Sequence, residues 1–166
     1  MDFLVESLIT GRRLRLLTVA DTFSREGLAI EADVSLTGQR VVHVLARLAA
    51  QHRRPQMISV DNGPEFICKA LAQWATEQHV HPHFIRPGTP TDNPYMESFQ
   101  GRLRDECLNE PLLHSVADAP EKLDRWRQDY NTVRPQSAVN YRTPTEFREV
   151  QLMRTRSENT NFSLAE

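Results

Sequence analysis

No apolar run in the sequence approaches the roughly 20 residues that span a bilayer, which excludes a transmembrane helix. There are only two cysteines, Cys68 and Cys107, too few for the disulfide framework of a small secreted domain. Both fall in segments read as helices, and free core thiols are the expected state. No basic-then-apolar leader opens the chain, so the reading is cytoplasmic with no membrane partner. An excess of positive charge is also missing. The formal net charge is −2, which argues against a protein that coats nucleic acid by bulk electrostatics. Internal repeats and low-complexity tracts are absent. What is present is an ordinary globular composition over 166 residues, enough for one domain with a real core and too short for several.

Hydrophobic periodicity divides the chain into elements. Asp2 to Glu6 alternates like a half-buried strand, and Thr10-Gly11-Arg12-Arg13 suits a hairpin turn. Leu14 to Ala20 is the returning strand. Gly27 to Val34 is a third, with Leu28, Ile30, Ala32 and Val34 on one face. A helix follows from Leu36 to Gln51, with Thr37 as cap and Val41, Leu45, Leu48 and Ala49 facing inward. Met57 to Val60 is a short strand. Pro64 to about Gln78 reads as a second helix with the stripe Ile67, Leu71, Trp74 and Ala75, and His81 to Ile85 as a fifth strand. A meander followed by alternating helices and strands predicts an α/β fold, a mixed five-stranded sheet flanked by helices. Beyond Asn109-Glu110-Pro111 the chain restarts. Asp118 and Glu121 offer a capping box ahead of Leu123, Trp126 and Tyr130, and Thr143 and Glu146 another for a short helix around Pro144 to Val150. Residues 1–150 are therefore read as the core and 151–166 as a polar C-terminal tail.

Two stretches point to chemistry. In Thr91-Asp92-Asn93-Pro94-Tyr95-Met96-Glu97, Asn93 is a good N-cap and Pro94 suits the first helical position. Met96, Phe99, Leu103 and Cys107 continue as an apolar stripe, while Glu97, Gly101 and Arg104 share a neighbouring face. An acid in a first turn also favours the helix macrodipole, so Glu97 alone is a weak signal. Upstream, Asp61 ends a short apolar strand and is followed by Asn62-Gly63-Pro64. Open α/β sheets place ligands at the carboxyl ends of their strands. Between Asp61 and Glu97 lie 35 residues, and a third acid, Asp2, opens the first strand. Asp21 competes as a site acid, against the simpler reading of a turn residue bonding its own backbone. His79, His81 and His83 alternate. They could hold zinc, but no fourth ligand follows at a usual spacing, and a surface strand with histidines on one side is simpler. The turn-rich loop Arg86 to Thr91 leads into the Glu97 helix. Arginines cluster locally at Arg12, Arg13 and Arg15, at Arg53 and Arg54, and at Arg102, Arg104, Arg125, Arg127 and Arg134. Phosphate contacts need such side chains locally and no basic total.

The motifs MDF at 1–3, DTFSRE at 21–26, VDNGPEF at 60–66, RPGTPTDNPYMESFQGRLRDECLN at 86–109, and YNTVRP with TPTEF near 130–147 occur in order over nearly the whole chain. In these the sequence resembles the integrase-like core of bacterial insertion-sequence transposases, specifically the second reading-frame product of the group related to retroviral integrases. The spacing of its acids matches that family's D-D-35-E pattern. The resemblance implies a ribonuclease-H-like fold in which Asp2, Asp61 and Glu97 bind two divalent metal ions, Mg²⁺ or Mn²⁺. It further implies DNA cleavage at transposon ends and strand transfer to a target, by ions about 4 Å apart and without a covalent protein intermediate. DNA would be the partner, with Arg102, Arg104 and Asn93 as candidate contacts. A homo-oligomer on DNA and an upstream reading-frame product with a helix-turn-helix are the further partners implied. Two departures stand out. The chain starts almost on the first acid, and the family's histidine after Arg-Pro is Gln136. The alternative is accordingly a truncated, inactive remnant that only binds DNA or a partner copy.

Overall fold

Leu16, Leu17, Thr18 and Val19 are all buried, so the strand that carries them is covered on both faces and must lie inside the fold. The computed structural model of the protein describes residues 1–8, 11–52, 54–86, 93–109 and 116–163, with side chains as far as Thr155. In it the central strand is β2 (Arg13–Ala20), paired antiparallel to β1 (Asp2–Ser7) on one side and to β3 (Gly27–Asp33) on the other. The meander expected from the sequence is thus present. Its first turn closes with the Leu8 amide donating to Arg12 and the Gly11 amide to Leu8, Gly11 taking a positive φ of 77°. Thr10 of that turn lies outside the described residues.

Strand alternation sends neighbouring side chains to opposite faces. Leu17 and Val19 enter one core with Val41, Val44, Leu45 and Leu48 of α1 (Gly38–Gln51) and Leu71, Trp74 and Ala75 of α2 (Lys69–Gln78). Leu14 and Leu16 enter the other with Met96, Phe99 and Leu103 of α3 (Pro94–Leu103) and Leu123, Trp126 and Tyr130 of α4 (Ala119–Thr132). The sheet is sandwiched between helix pairs. Phe99, fully buried, stacks edge-on against Trp126 and Tyr130, with ring centroids 5.4 and 4.9 Å apart.

Strands β4 (Met57–Val60) and β5 (His81–Phe84) pair parallel, so both strand directions expected of a mixed sheet occur. The pairing falls into a three-stranded and a two-stranded sheet instead of one continuous ladder. The Met1 ammonium bridges them, donating to the Ser59 carbonyl at 2.8 Å.

Several local expectations need correction. α2 begins at Lys69 and not at Pro64. Residues 64–68 are held in turns by the Phe66 and Ile67 amides, which donate to the Gly63 carbonyl, and Cys68 occupies the N-cap. Phe66 therefore goes into the core while Ile67, expected inward, is 60% exposed. Cys107 sits in a π-helical turn, Arg104–Leu108, that extends α3, and neither cysteine is in a disulfide. Asp118 holds the N-cap position of α4 but makes no side-chain capping bond. The Thr143–Glu146 box does form: the Thr143 amide donates to Glu146 at 2.9 Å and the Glu146 amide to Thr143 at 3.2 Å. The helix it starts, α5 (Pro144–Ser163), runs well past Val150. Residues 151–163 contain neither glycine nor proline, so nothing stops propagation once the helix is nucleated. Arg148, paired with the buried Glu26 at 2.7 Å, fastens α5 to the turn before β3.

At the start of β3, the Gly27 amide donates to Asn131 Oδ1 at 2.8 Å and the Gly27 carbonyl accepts from Asn131 Nδ2 at 2.9 Å. A Cβ on Gly27 would stand 2.9 Å from the Phe99 ring, so this residue is glycine for want of space.

Candidate active site

The three acids singled out by the sequence are carried by three elements. Asp2 opens β1 opposite Thr18 of β2, and is half-buried. Its Oδ1 accepts from the Phe3 amide at 2.7 Å. Burial pushes the Asp2 carboxyl above its ordinary value; the Phe3 amide opposes that, and the nearby charge of Asp61 adds to it. The Met1 ammonium, buried beside both acids, is lowered to about 6 by desolvation against their attraction.

Asp61 follows the last residue of β4 and is exposed. Its Oδ1 accepts from the Gly63 amide at 2.8 Å, an Asx turn that aims the carboxylate back over the strand end. A Cβ on Gly63 would lie 2.9 Å from Asp61 Oδ1 and 3.0 Å from Glu65 Oε2, so the glycine keeps two carboxylates close to one backbone. Asn62 fixes the loop by donating to the Ile85 carbonyl at 2.8 Å.

Glu97 is exposed in the first turn of α3. Asp2 and Asp61 lie within electrostatic reach of each other, and among the described residues no three His, Cys, Asp or Glu side chains converge into a metal-holding group. The loop before it, Pro87 to Asp92, lies outside the described residues, as does Arg53. Asn93 sits at the N-cap position but its side chain makes no capping bond, and only its carbonyl accepts from the Glu97 amide at 3.2 Å. Met96, Phe99, Leu103 and Cys107 are buried as the stripe predicts.

Two buried polar residues missed in the sequence tie these elements together. Gln100 of α3 donates to Thr18 Oγ1 at 2.9 Å. Thr18 in turn donates to the Asp2 carbonyl at 3.0 Å. The available signal was polarity out of place: a Thr inside Leu16-Leu17-Thr18-Val19, and a Gln between the apolar Met96, Phe99 and Leu103.

Most of the expected phosphate-contacting arginines are engaged. Arg104 pairs with Glu6 of β1 at 2.8 Å, Arg125 with Glu121 at 2.9 Å, Arg127 with Asp124 at 2.7 Å, and Arg134 with Glu106. Arg12, Arg13 and Arg102 are exposed. Asp21 serves its turn, accepting from the amides of Phe23 and Ser24 and from the Ser24 hydroxyl at 2.7 Å. His81 and His83 are exposed on β5, and His79 ends α2 in the left-handed region.

This fold, with acids at the edge of a central sheet, agrees with relationships found among known proteins. Residues 1–90 and 78–144 match two family models described as integrase core domain. The chain belongs to the integrase core domain family, and its similar proteins are encoded by bacterial insertion elements. It is 44% identical over 147 residues to the insertion element IS407 uncharacterized 31.7 kDa protein of Burkholderia multivorans, covering 89% of this chain and 53% of that one. It is 43% identical over 148 residues to the IS476 uncharacterized 39.2 kDa protein of Xanthomonas euvesicatoria, covering 89% and 42%. The chain thus spans about half the length of these relatives. The transposase of IS904 from Lactococcus lactis is 27% identical over 99 residues, covering 58% and 39%. Among solved structures, the HTLV-2 integrase catalytic core domain in complex with magnesium superposes with a TM-score of 0.66 at 16% identity, covering 88% and 93%. A simian T-cell lymphotropic virus intasome chain gives 0.72 at 20% identity, covering 88% and 51%. At these identities the structures establish the ribonuclease-H-like fold.

Proposed function

We propose that the chain is the catalytic core of a transposase that cuts DNA at transposon ends and transfers the freed strand to a target, with Mg²⁺ or Mn²⁺ as cofactor. The observation that supports the reading is that Asp2, at the start of β1, and Asp61, just past β4, lie near enough for the charge of Asp61 to raise the Asp2 carboxyl. An all-oxygen pair of like charges, one half-buried, fits a hard divalent cation. The magnesium complex of the structurally similar HTLV-2 core supports the same choice.

Asp2 and Asp61 would hold the metal, and Glu97, on the neighbouring helix, would complete the set. When bound, two divalent ions supply activation of the attacking oxygen and stabilisation of the leaving one. The chain's own part is positional. Gln100 and Thr18 fix the Asp2 backbone, the Phe3 amide holds the Asp2 carboxylate, and the Gly63 amide orients Asp61. Arg102, Arg104 and Asn93 would contact the DNA backbone beside Glu97, and several copies would assemble on the two ends, with the upstream reading-frame product as a further partner. A second reading is an inactive remnant that binds DNA or an intact copy without cutting.

Nicking of duplex end DNA in Mn²⁺ separates the two. Activity in the wild type that is lost in Asp2→Asn, Asp61→Asn and Glu97→Gln is the expected result. DNA binding without nicking in the wild type would establish the remnant, and cleavage that survives all three substitutions would sink the assignment of the acids.

A further inference from the structure

We infer that Arg15 and Glu65 are positioning residues that clamp the Asp61 loop to the strand carrying Asp2, acting from the sheet face opposite that acid. The inference rests on the metal-site reading above. Arg15 lies on β2, and its guanidinium stacks 4.6 Å from the centroid of the Phe3 ring. Phe3 is the residue after Asp2, and by strand alternation it points to the other face. The same guanidinium pairs with Glu65, four residues beyond Asp61.

Both sides of the clamp are anchored. The Phe3 ring packs 5.1 Å from Phe66, which is 1% exposed in the core. The Phe66 amide holds the Gly63 carbonyl at 2.9 Å. Glu65 directs Oε1 at Arg15 and Oε2 toward the Cα of Gly63, on the face where Asp61 Oδ1 also lies. One side chain, Arg15, thereby touches the residue next to the first acid and the loop that carries the second. The Glu65 side chain is 13% exposed and that of Arg15 30%, so the pair is partly desolvated and stronger than a rim contact. A planar guanidinium that both stacks and pairs suits this task better than an ammonium would.

The test uses the sign of the effect. Measure Mn²⁺ affinity by calorimetry on the full chain for wild type, Arg15→Met, Glu65→Gln and the double variant, with Arg125→Met as a remote charge control and circular dichroism to verify folding. Through charge alone, Arg15→Met makes the site more negative and tightens Mn²⁺, whereas Glu65→Gln loosens it. A clamp requires both to loosen it, on the order of 10-fold as for other groups that orient metal ligands, with the double variant no worse than either single. Opposite signs, additive losses or no change would overturn the inference. If the wild type binds no Mn²⁺, the metal-site reading itself fails, and the Gly63 amide resonance then decides on the clamp. A shift of that resonance in both Arg15→Met and Glu65→Gln sustains it, and an unmoved resonance refutes it.

Discussion

Gln100 and Thr18, 82 residues apart, share a 2.9 Å hydrogen bond between α3 and β2. Thr18 passes the contact to the Asp2 backbone by donating to its carbonyl. The helix that carries Glu97 is thereby registered against the strand that carries Asp2. Gln100→Leu fills similar volume but leaves the buried Thr18 hydroxyl without its donor. Thr18 still donates to the Asp2 carbonyl, so unfolding by urea should show a loss of about 0.5–1.5 kcal/mol, the usual net worth of one hydrogen bond. Mn²⁺-dependent stabilisation should fall with it. Full retention of both would show that the bridge is ornamental.

The acids also write a pH signature into the metal-free protein. Asp2 has a folded pKa above its unfolded value of 3.8. The folded state binds more protons there, so its contribution is present below 3.8 and is lost as pH rises through the folded pKa. The Met1 ammonium works in the other direction, with a pKa near 6 when folded against 8.0 when unfolded. Between those values the unfolded state binds more protons, and stability should climb by about 2–3 kcal/mol from pH 6 to 8. Asp2→Asn should abolish the first trend and raise metal-free stability at pH 7. In denaturant midpoints across pH 4 to 8, a flat acid limb would sink the Asp2 assignment, and a flat limb from pH 6 to 8 the Met1 assignment.

Glu6 holds Arg104 at 2.8 Å, both partly exposed. Exposed pairs contribute about 0–1 kcal/mol, so Glu6→Gln should barely change the melting temperature. Releasing the guanidinium should nonetheless tighten non-specific DNA binding, and steepen its salt dependence by up to about one unit of slope. Binding isotherms at several salt concentrations are the check. An unchanged slope would mean Arg104 faces away from the DNA path.

Gly63→Ala tests the two carboxylates from the backbone side. Its new methyl group would press on Asp61 Oδ1 and Glu65 Oε2, both at the ends of side chains that can swing away. The fold should lose less than about 1 kcal/mol, in the ordinary range for a substitution outside the core. The Asp61 carboxylate should turn off the Gly63 amide and weaken Mn²⁺ affinity on the order of 10-fold. A large drop in melting temperature with intact metal affinity would contradict this account.

The parts of the fold that were legible in the sequence are those set by short-range rules. Asp61 was visible because a Gly-Pro break follows a short apolar run, and the Thr143–Glu146 box because its partners are three residues apart. Ile67 was misplaced because counting a helical stripe back to Pro64 assumed that the helix began there. The chain turns through 64–68 instead, and Phe66 takes the inward place. Asn93 and Asp118 reached cap positions without making the cap bonds, since residue type fixes the position but not the side-chain rotamer. Gln100, Arg15 and Glu65 were illegible for another reason. Each depends on a partner brought in from distant sequence, which no local pattern encodes.

The paired hydrogen bonds between Asn131 and Gly27 bear on how the chain avoids its own kind. β3 is an edge strand, and edges with free amides and carbonyls recruit strands from other molecules. At Gly27 a side-chain amide already occupies the place of a neighbouring strand, with one bond given and one taken. Further along, Glu31 carries Arg40 and Arg47 across the same margin. An incoming strand finds the first rung filled and a charged fence beyond it, so the open edge of the sheet is protected against aggregation.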